Sequence, residues 1–280
     1  MDLYVAGIVL IAAVAHASWN AIAHGISDKL VAFTLLAAGG WLCAVPLVVW
    51  VTPPDPRSWP YLATSVGVHL LYYLLLMVSY RLGDFSQVYP LARGISPPLV
   101  TILAAVFVGE IPPAGQVAGI LVISAGLASL VVIGRRRGPV PRAAVLAASA
   151  TGLVIALYTT VDGLGVRLSG SSVGYTAWLM FLDGMIVPLI AVARRGRSLL
   201  DPIRDVWHIG LAGGLASVLA YGLVLWAQTQ APLGPVAALR ETGIIFGAII
   251  GTVVFHERFG RARIVAAALV ATGVVVLNVV

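Results

Sequence analysis

Two arginines of this chain lie inside long apolar segments, where a charge is unexpected. Arg93 belongs to "YPLARGISPP", residues 89–98, and Arg240 is followed directly by Glu241. A charge at the centre of a bilayer costs about 2.5–3.5 kcal/mol on insertion scales, so each arginine should face protein or water and have a partner. Either arginine could anchor a substrate carboxylate or phosphate or act as a gating counter-ion. Alternatively, Arg93 could form a static ion pair with Glu241.

Glu241 is also a candidate for exchanging a coupling proton. A carboxyl in a low-dielectric site can hold a proton near neutral pH. This role is lost if Arg93 neutralises the carboxylate permanently. Tyr89 lies one helical turn before Arg93 and should share its face, so it could hydrogen-bond the same ligand.

A polar stripe marks the first apolar segment. His16, Asn20 and His24 recur every four residues and therefore share one helical face. They could line a cavity, hydrogen-bond to other helices, or bind a divalent metal together with His69. The segment offers no carboxylate or thiol to complete a metal site, so we predict none. Trp19 should pack or form part of a cavity wall.

The second half of the chain carries further polar and aromatic candidates. Tyr158 and Asp162 are four residues apart and hold the corresponding place in the sixth segment. Alternatively, Asp162 could be a solvated or snorkelled carboxylate near a helix end. Asp183 lies mid-segment and is expected to have a structural partner. Aromatic cavity walls could come from Tyr72, Tyr73, Tyr221 and Trp226, although such residues usually pack. The predicted translocation site consists of Arg93, Tyr89, Glu241, Arg240, Asn20, His16, Trp19, Tyr158, Tyr72 and Trp226.

The composition requires a membrane protein. Of the 280 residues, 60% are hydrophobic and only 10% are charged, which is far less charge than a soluble domain exposes. Apolar runs of about 20 residues, enough to cross a bilayer, recur without the alternation of barrel strands. We therefore predict an all-α integral membrane fold with ten transmembrane helices. They cover 3–24, 30–51, 59–80, 85–108, 115–134, 143–165, 172–193, 206–227, 233–255 and 262–280.

The placement of basic residues indicates topology. Thirteen of the 17 Lys and Arg residues lie in one set of alternate loops, mainly the runs 135–142 and 194–204. Basic short loops stay in the cytoplasm, so the count puts both termini outside it. A positive surplus explained in this way gives no reason to expect a nucleic-acid partner.

The chain contains an internal repeat. A shift of 147 residues aligns 69–133 with 216–280 without gaps, although only eight of the 65 positions are identical. The coincident features are Arg93 with Arg240, Glu110 with Glu257, and Gly126 with Gly273.

Each half of the chain is therefore predicted to be one five-helix repeat. The first covers 1–134, a basic loop covers 135–142, and the second covers 143–280. Because five crossings are an odd number, the second copy must be inverted. Inverted repeats are a transporter architecture, with the substrate site near the midplane between the copies. Pro97 and Pro98 should break the helical hydrogen bonding beside Arg93 and face that site.

Three stretches resemble the EamA-like ten-helix members of the drug/metabolite transporter superfamily. They are "HASWNA" at 16–21, the segment 88–126 with its closing glutamate and Gly-rich helix, and the corresponding segment 238–277. The resemblance implies two EamA-like repeats, transport of small molecules, export as the commoner direction, and both termini in the cytoplasm. Since the loop charges give the opposite orientation, the topology stays open.

The remaining inferences concern function. Absence of an ATP-binding loop and of recognisable catalytic or cofactor motifs favours a secondary transporter over a membrane-embedded enzyme, with no cofactor. We predict alternating-access export of a small polar or charged metabolite or drug-like compound. Uptake and a channel-like facilitator are the alternatives. The expected partners are the substrate, the lipid bilayer and a candidate coupling proton, and a homodimer is left open. In a bacterium the location would be the cytoplasmic membrane.

Overall fold

A computed structural model describes residues 1–83, 85–133, 141–254 and 260–279. In these ranges the regular structure is helical throughout, as the sequence predicts. The α-helices are α1 (Leu3–Gly25), α2 (Lys29–Trp50), α3 (Trp59–Leu82), α4 (Phe85–Phe107), α5 (Ala114–Ile133), α6 (Arg142–Leu168), α7 (Ser172–Gly184), α8 (Ile186–Arg195), α9 (Leu200–Gln230), α10 (Leu233–Arg240), α11 (Gly243–Val253) and α12 (Arg261–Val279).

Eight of the described segments are long and apolar enough to cross a membrane. One of them, Ser172–Gln230, is 59 residues long and contains α7, α8 and α9. A further apolar helix, Arg263–Val279, is shorter. The chain is thus a multi-pass helical membrane protein, while the number ten for its crossings stays a prediction.

Two of the predicted spans are interrupted. Met185 separates α7 from α8, and Glu241 with Thr242 separates α10 from α11. At the second break the amide of Glu241 donates to Ala238 O at 3.1 Å, and the amide of Ile244 donates to Glu241 O at 3.1 Å. These tighter bonds keep the backbone satisfied at membrane depth. The break therefore places Arg240 and Glu241 at a helix discontinuity.

Helix α4 is continuous in spite of three prolines, Pro90, Pro97 and Pro98. A proline removes its own N–H donor, so Pro97 and Pro98 leave the carbonyl oxygens of Arg93 and Gly94 without their usual helical donors. The expected gaps in the hydrogen-bond ladder are present beside Arg93, but they do not end the helix.

Close helix contacts depend on glycine where α5 crosses α12. A Cβ atom added to Gly119 would lie 2.9 Å from Gly273 O, and one added to Gly273 would lie 2.8 Å from Gly119 O. Such approaches between transmembrane helices need small residues. Around the centre, α4 packs on α5, α6 and α10, and α1 packs on α9, α10 and α11. The break after α10 consequently lies between α1 and α4.

Candidate functional site

Four side chains from three parts of the chain meet at the break after α10. We call Arg93, Arg240, Glu241 and His16 the central charge cluster. Arg93 Nε lies 2.9 Å from Glu241 Oε2, and Arg240 Nη2 lies 3.5 Å from Glu241 Oε1. Arg93 Nη2 is also 3.1 Å from His16 Nε2. The sequence-based alternative of an Arg93–Glu241 ion pair is therefore present in the structure.

Three of the four members of the central charge cluster are buried in the protein. Relative exposure is 7% for Arg93, 3% for Arg240 and 3% for Glu241. Two guanidinium groups face one carboxylate, so these three side chains carry one positive charge in excess. An ion without full compensation at this depth is costly, which favours an additional anionic group in the same place.

His16 cannot supply that missing negative charge, and its contacts favour the neutral imidazole. Trp19 Nε1 lies 3.3 Å from His16 Nδ1, and Arg93 Nη2 lies 3.1 Å from His16 Nε2. Both neighbours are obligate donors, while a neutral imidazole has one acceptor nitrogen and an imidazolium has none. One of these two contacts therefore cannot be a proper hydrogen bond, and protonation of His16 would remove the other.

One side-chain hydrogen-bond donor of Arg240 is unsatisfied among the described residues. Its Nε is buried and has no hydrogen-bond partner within the described residues. Leaving a buried donor unsatisfied costs about 1–3 kcal/mol, and more when the group is charged. An oxygen of an anionic ligand would satisfy this nitrogen and reduce the excess charge together.

Aromatic residues predicted for the site surround this cluster. The guanidinium of Arg93 lies 5.8 Å from the centre of the Tyr89 ring. Tyr158 and Tyr72 pack edge to face at 5.7 Å, and both interact electrostatically with Arg93 and Arg240. Tyr89, Tyr158 and Tyr72 are thus beside the charges, as is Trp19 through His16.

Of the other two predicted site residues, Asn20 lies one turn after His16 on α1, whereas Trp226 lies away from the central charge cluster. Asn20 Nδ2 donates to the backbone oxygen of His16 at 2.7 Å, so its amide is turned to its own helix. Trp226 packs edge to face on Tyr4 at 5.8 Å. It lines a largely apolar groove of about 370 Å³ formed by α1, α2, α7 and α9, in which no member of the central charge cluster is a lining residue.

A second polar group lies at α3, α6 and α7, and the sequence analysis did not assemble it. We call Asp162, Asp183 and His69 the acidic cluster. The interpretation of Asp162 as solvated is wrong, because its exposure is 1%. The hydroxyl of Tyr175 donates to Asp162 Oδ1 at 3.0 Å, and that of Tyr221 donates to Oδ2. Helices α7 and α9 therefore cover a carboxylate that the local sequence placed near a helix end.

Asp183 and His69 complete the acidic cluster. Asp183 is 8% exposed, and Tyr73 OH donates to its Oδ2 at 3.0 Å. His69 interacts electrostatically with both carboxylates. The available sequence signal was the presence of two mid-segment aspartates and a mid-segment histidine, but their spacing does not reveal that they meet.

The glutamate predicted to close the fourth helix has a defined role. Glu110 Oε1 lies 2.6 Å from Arg167 Nη1, and Glu110 Oε2 accepts from the amide of Leu233 at 2.8 Å. Arg167 also donates to Gln228 O at 2.7 Å. Glu110 thus caps α10 and joins the two halves. Its predicted counterpart, Glu257, lies outside the described residues.

Together, these features define a helical multi-pass membrane protein with a buried charged site at a helix break. One solved protein crystal structure superposes on 100% of this chain and 98% of its own, with a TM-score of 0.75 and 16% sequence identity. That likeness shows a shared fold. No curated protein matches the chain at a significant level.

Residues 142–279 match the EamA-like transporter family. This match supports membership of the drug/metabolite transporter superfamily and confirms the resemblance seen in the sequence motifs.

Proposed function

We propose that this protein is a secondary transporter that exports a small polar or charged metabolite or drug-like compound bearing an anionic group. The observation that carries the proposal is the central charge cluster, with two buried guanidinium groups, one carboxylate and an unpaired Arg240 Nε. A ligand carboxylate or phosphate would balance the charge and satisfy the nitrogen.

The position of the cluster supports a transport role. Substrate sites of secondary transporters form near the midplane, where helices are discontinuous and lie between structural repeats. Arg93 comes from the first half of the chain, and Arg240 with Glu241 comes from the break between α10 and α11 in the second half. A ligand bound between these residues would contact both halves, so movement of one half against the other would alter its access.

Two inverted five-helix repeats with ten crossings are part of the proposal. Counting α7 with α8, and α10 with α11, as one crossing each gives ten. Reciprocal packing supports the repeat: a Cβ on Gly126 would lie 3.0 Å from the Leu269 side chain, and one on Gly273 would lie 2.6 Å from the Ile123 side chain. Gly126 and Gly273, which the 147-residue shift aligns, thus both lie at the α5–α12 contact.

Comparison of metabolites in the medium tests the proposal. Cells that overproduce the protein and cells with an empty vector are grown in separate, parallel cultures. Untargeted mass spectrometry then compares their media and extracts. We expect an anionic or zwitterionic compound to accumulate in the medium of the producing cells and to decline in their extracts. The converse pattern, accumulation inside the cells, would replace export by uptake. Matching profiles at verified membrane levels would contradict export of a host metabolite.

A further inference from the structure

The acidic cluster lacks the positive charge that its two carboxylates require. Among the described side chains, the ion pairs of this chain involve neither Asp162 nor Asp183. The ionisable partner that interacts with both is His69. Even with His69 protonated, two carboxylates would leave one negative charge in excess. A buried charge without compensation is strongly unfavourable, so the cluster should hold one more cation.

The tautomer of His69 follows from its contacts. His69 Nδ1 lies 3.0 Å from the backbone oxygen of Ser65, which can only accept, so Nδ1 carries a proton. The hydroxyl of Ser65 is 3.1 Å from the same nitrogen. The Nδ1 proton of His69 is thus bound to Ser65 on its own helix, and Nε2 is the ring nitrogen that these two contacts do not use.

The two carboxylates have different hydrogen bonds. Asp162 accepts hydroxyl hydrogen bonds on both oxygens, from Tyr175 and Tyr221, and this stabilises its ionised form. Asp183 accepts one, from Tyr73 on Oδ2, and its buried Oδ1 has no partner among the described residues. Oδ1 of Asp183 is therefore the atom on which an additional proton is best accommodated.

The other groups around the cluster leave this assignment intact. Helix α3 contributes Ser65, His69 and Tyr73, α7 contributes Tyr175, and α9 contributes Tyr221. Helix α2 contacts α7 at Gly184 through Ala37 and Trp41, which have no titratable group. Tyr158 stacks on His69 at 4.3 Å and separates it from the central charge cluster, with which Tyr158 also interacts.

A multivalent metal ion as the missing cation would need several imidazole, thiolate or carboxylate ligands. The described residues contain no group of three His, Cys, Asp or Glu side chains arranged to hold one. A proton needs a single oxygen, which Asp183 Oδ1 offers.

We propose that Asp183 binds a proton in the acidic cluster, with Asp162 and His69 as its ionisable neighbours. Its role as the coupling ion rests on the transport function proposed above. Glu241, the sequence-based candidate for this proton, is instead held between Arg93 and Arg240. In this proposal the central charge cluster binds an anionic group, and the acidic cluster binds a proton.

Infrared difference spectroscopy of the purified full-length protein tests proton binding without requiring transport. A protonated carboxyl shows a C=O band that a carboxylate lacks. Exposed carboxyls ionise near pH 4, so a band that persists at about pH 6 and is lost on alkalinisation reports a buried site. We expect this band in the wild type, its loss in Asp183→Asn, and its retention in Glu241→Gln.

Three outcomes of the infrared experiment would overturn the proposal. The wild-type spectrum at about pH 6 could lack a carboxyl band that alkalinisation removes. This would show that Asp183 holds no exchangeable proton, and the result does not depend on how a variant folds. Loss of the band in Glu241→Gln, with its retention in Asp183→Asn, would move the proton to Glu241. Loss of the wild-type band when sodium replaces potassium would identify the ion as sodium. Failure of the export experiment alone would leave the proton site standing and remove its coupling role.

Discussion

The guanidinium of Arg93 on α4 and the carboxylate of Glu241 at the end of α10 form a 2.9 Å ion pair that joins the two halves of the chain. Both side chains are more than nine-tenths buried. Breaking a buried ion pair by removing one partner is far more damaging than replacing both, because the remaining charge is left without compensation.

Glu241→Gln should therefore destabilise the protein by about 3–5 kcal/mol. It leaves two buried guanidinium groups without a carboxylate. The double variant Arg93→Gln/Glu241→Gln should recover most of this loss, because it removes one charge of each sign. Thermal unfolding of the detergent-purified proteins measures the difference.

The exposed Asp201 supplies the matched control for that series. Asp201→Asn should unfold at the wild-type temperature. The loss of stability in the double variant is compared with the sum of the losses in Arg93→Gln and Glu241→Gln. If the two were equal, the pair would not be energetically coupled, and the ion-pair account would be contradicted.

Gly273→Ala should destabilise the contact between α5 and α12. Its new Cβ would lie 2.6 Å from the Ile123 side chain and 2.8 Å from Gly119 O, and overpacking of this kind typically costs about 1–3 kcal/mol. Gly247→Ala is the control, since a Cβ there meets nothing within 4 Å and alanine is the better helix former by about 0.5–1 kcal/mol. Equal unfolding temperatures for the two variants would refute the close crossing.

Acid should weaken a contact between the start of α2 and the end of α8. The hydrogen bond from Arg195 lowers the pKa of the Asp28 carboxyl from its ordinary value of 3.8. Because the folded-state pKa is the lower one, the stabilisation is complete at neutral pH and is lost as the pH falls through that lowered pKa. Its size should stay below about 1 kcal/mol, as both side chains are partly exposed.

Unfolding of Arg195→Gln at two pH values checks this contact. The variant should be slightly less stable than the wild type at pH about 7, and the gap should narrow as the pH falls below the ordinary Asp28 value of 3.8. Arg197→Gln, at a neighbouring exposed arginine, should show no such gap. A gap of unchanged size in acid would mean that Arg195 acts through something other than the ionised Asp28.

Part of the candidate site could be predicted from the sequence, because a charged residue in a membrane span is costly and must have a partner. Arg93 and Arg240 stand out in apolar segments, and the need for partners led directly to Glu241. Membrane helices were also predictable, because their length and hydropathy follow from the thickness of the bilayer.

Features that depend on distant parts of the chain were not predictable. Asp162 was interpreted as solvated because the predicted sixth segment ends at residue 165, yet Tyr175 and Tyr221 cover it from other helices. The break at Glu241 and Thr242 lies six residues after Pro235, so no proline at the break marks it in the sequence. Its short-range backbone hydrogen bonds depend on the packing of the surrounding helices.

The central claim is that Arg93 and Arg240, held in place by Glu241, bind the anionic group of a transported molecule. Its most direct test compares wild type with Arg93→Gln/Glu241→Gln at matched membrane levels, using mass spectrometry of the medium. The account predicts a compound bearing an anionic group that accumulates with the wild type and falls to the empty-vector level with the stable double variant. Equal accumulation with both proteins would contradict it and reduce the pair to a structural link between the two halves.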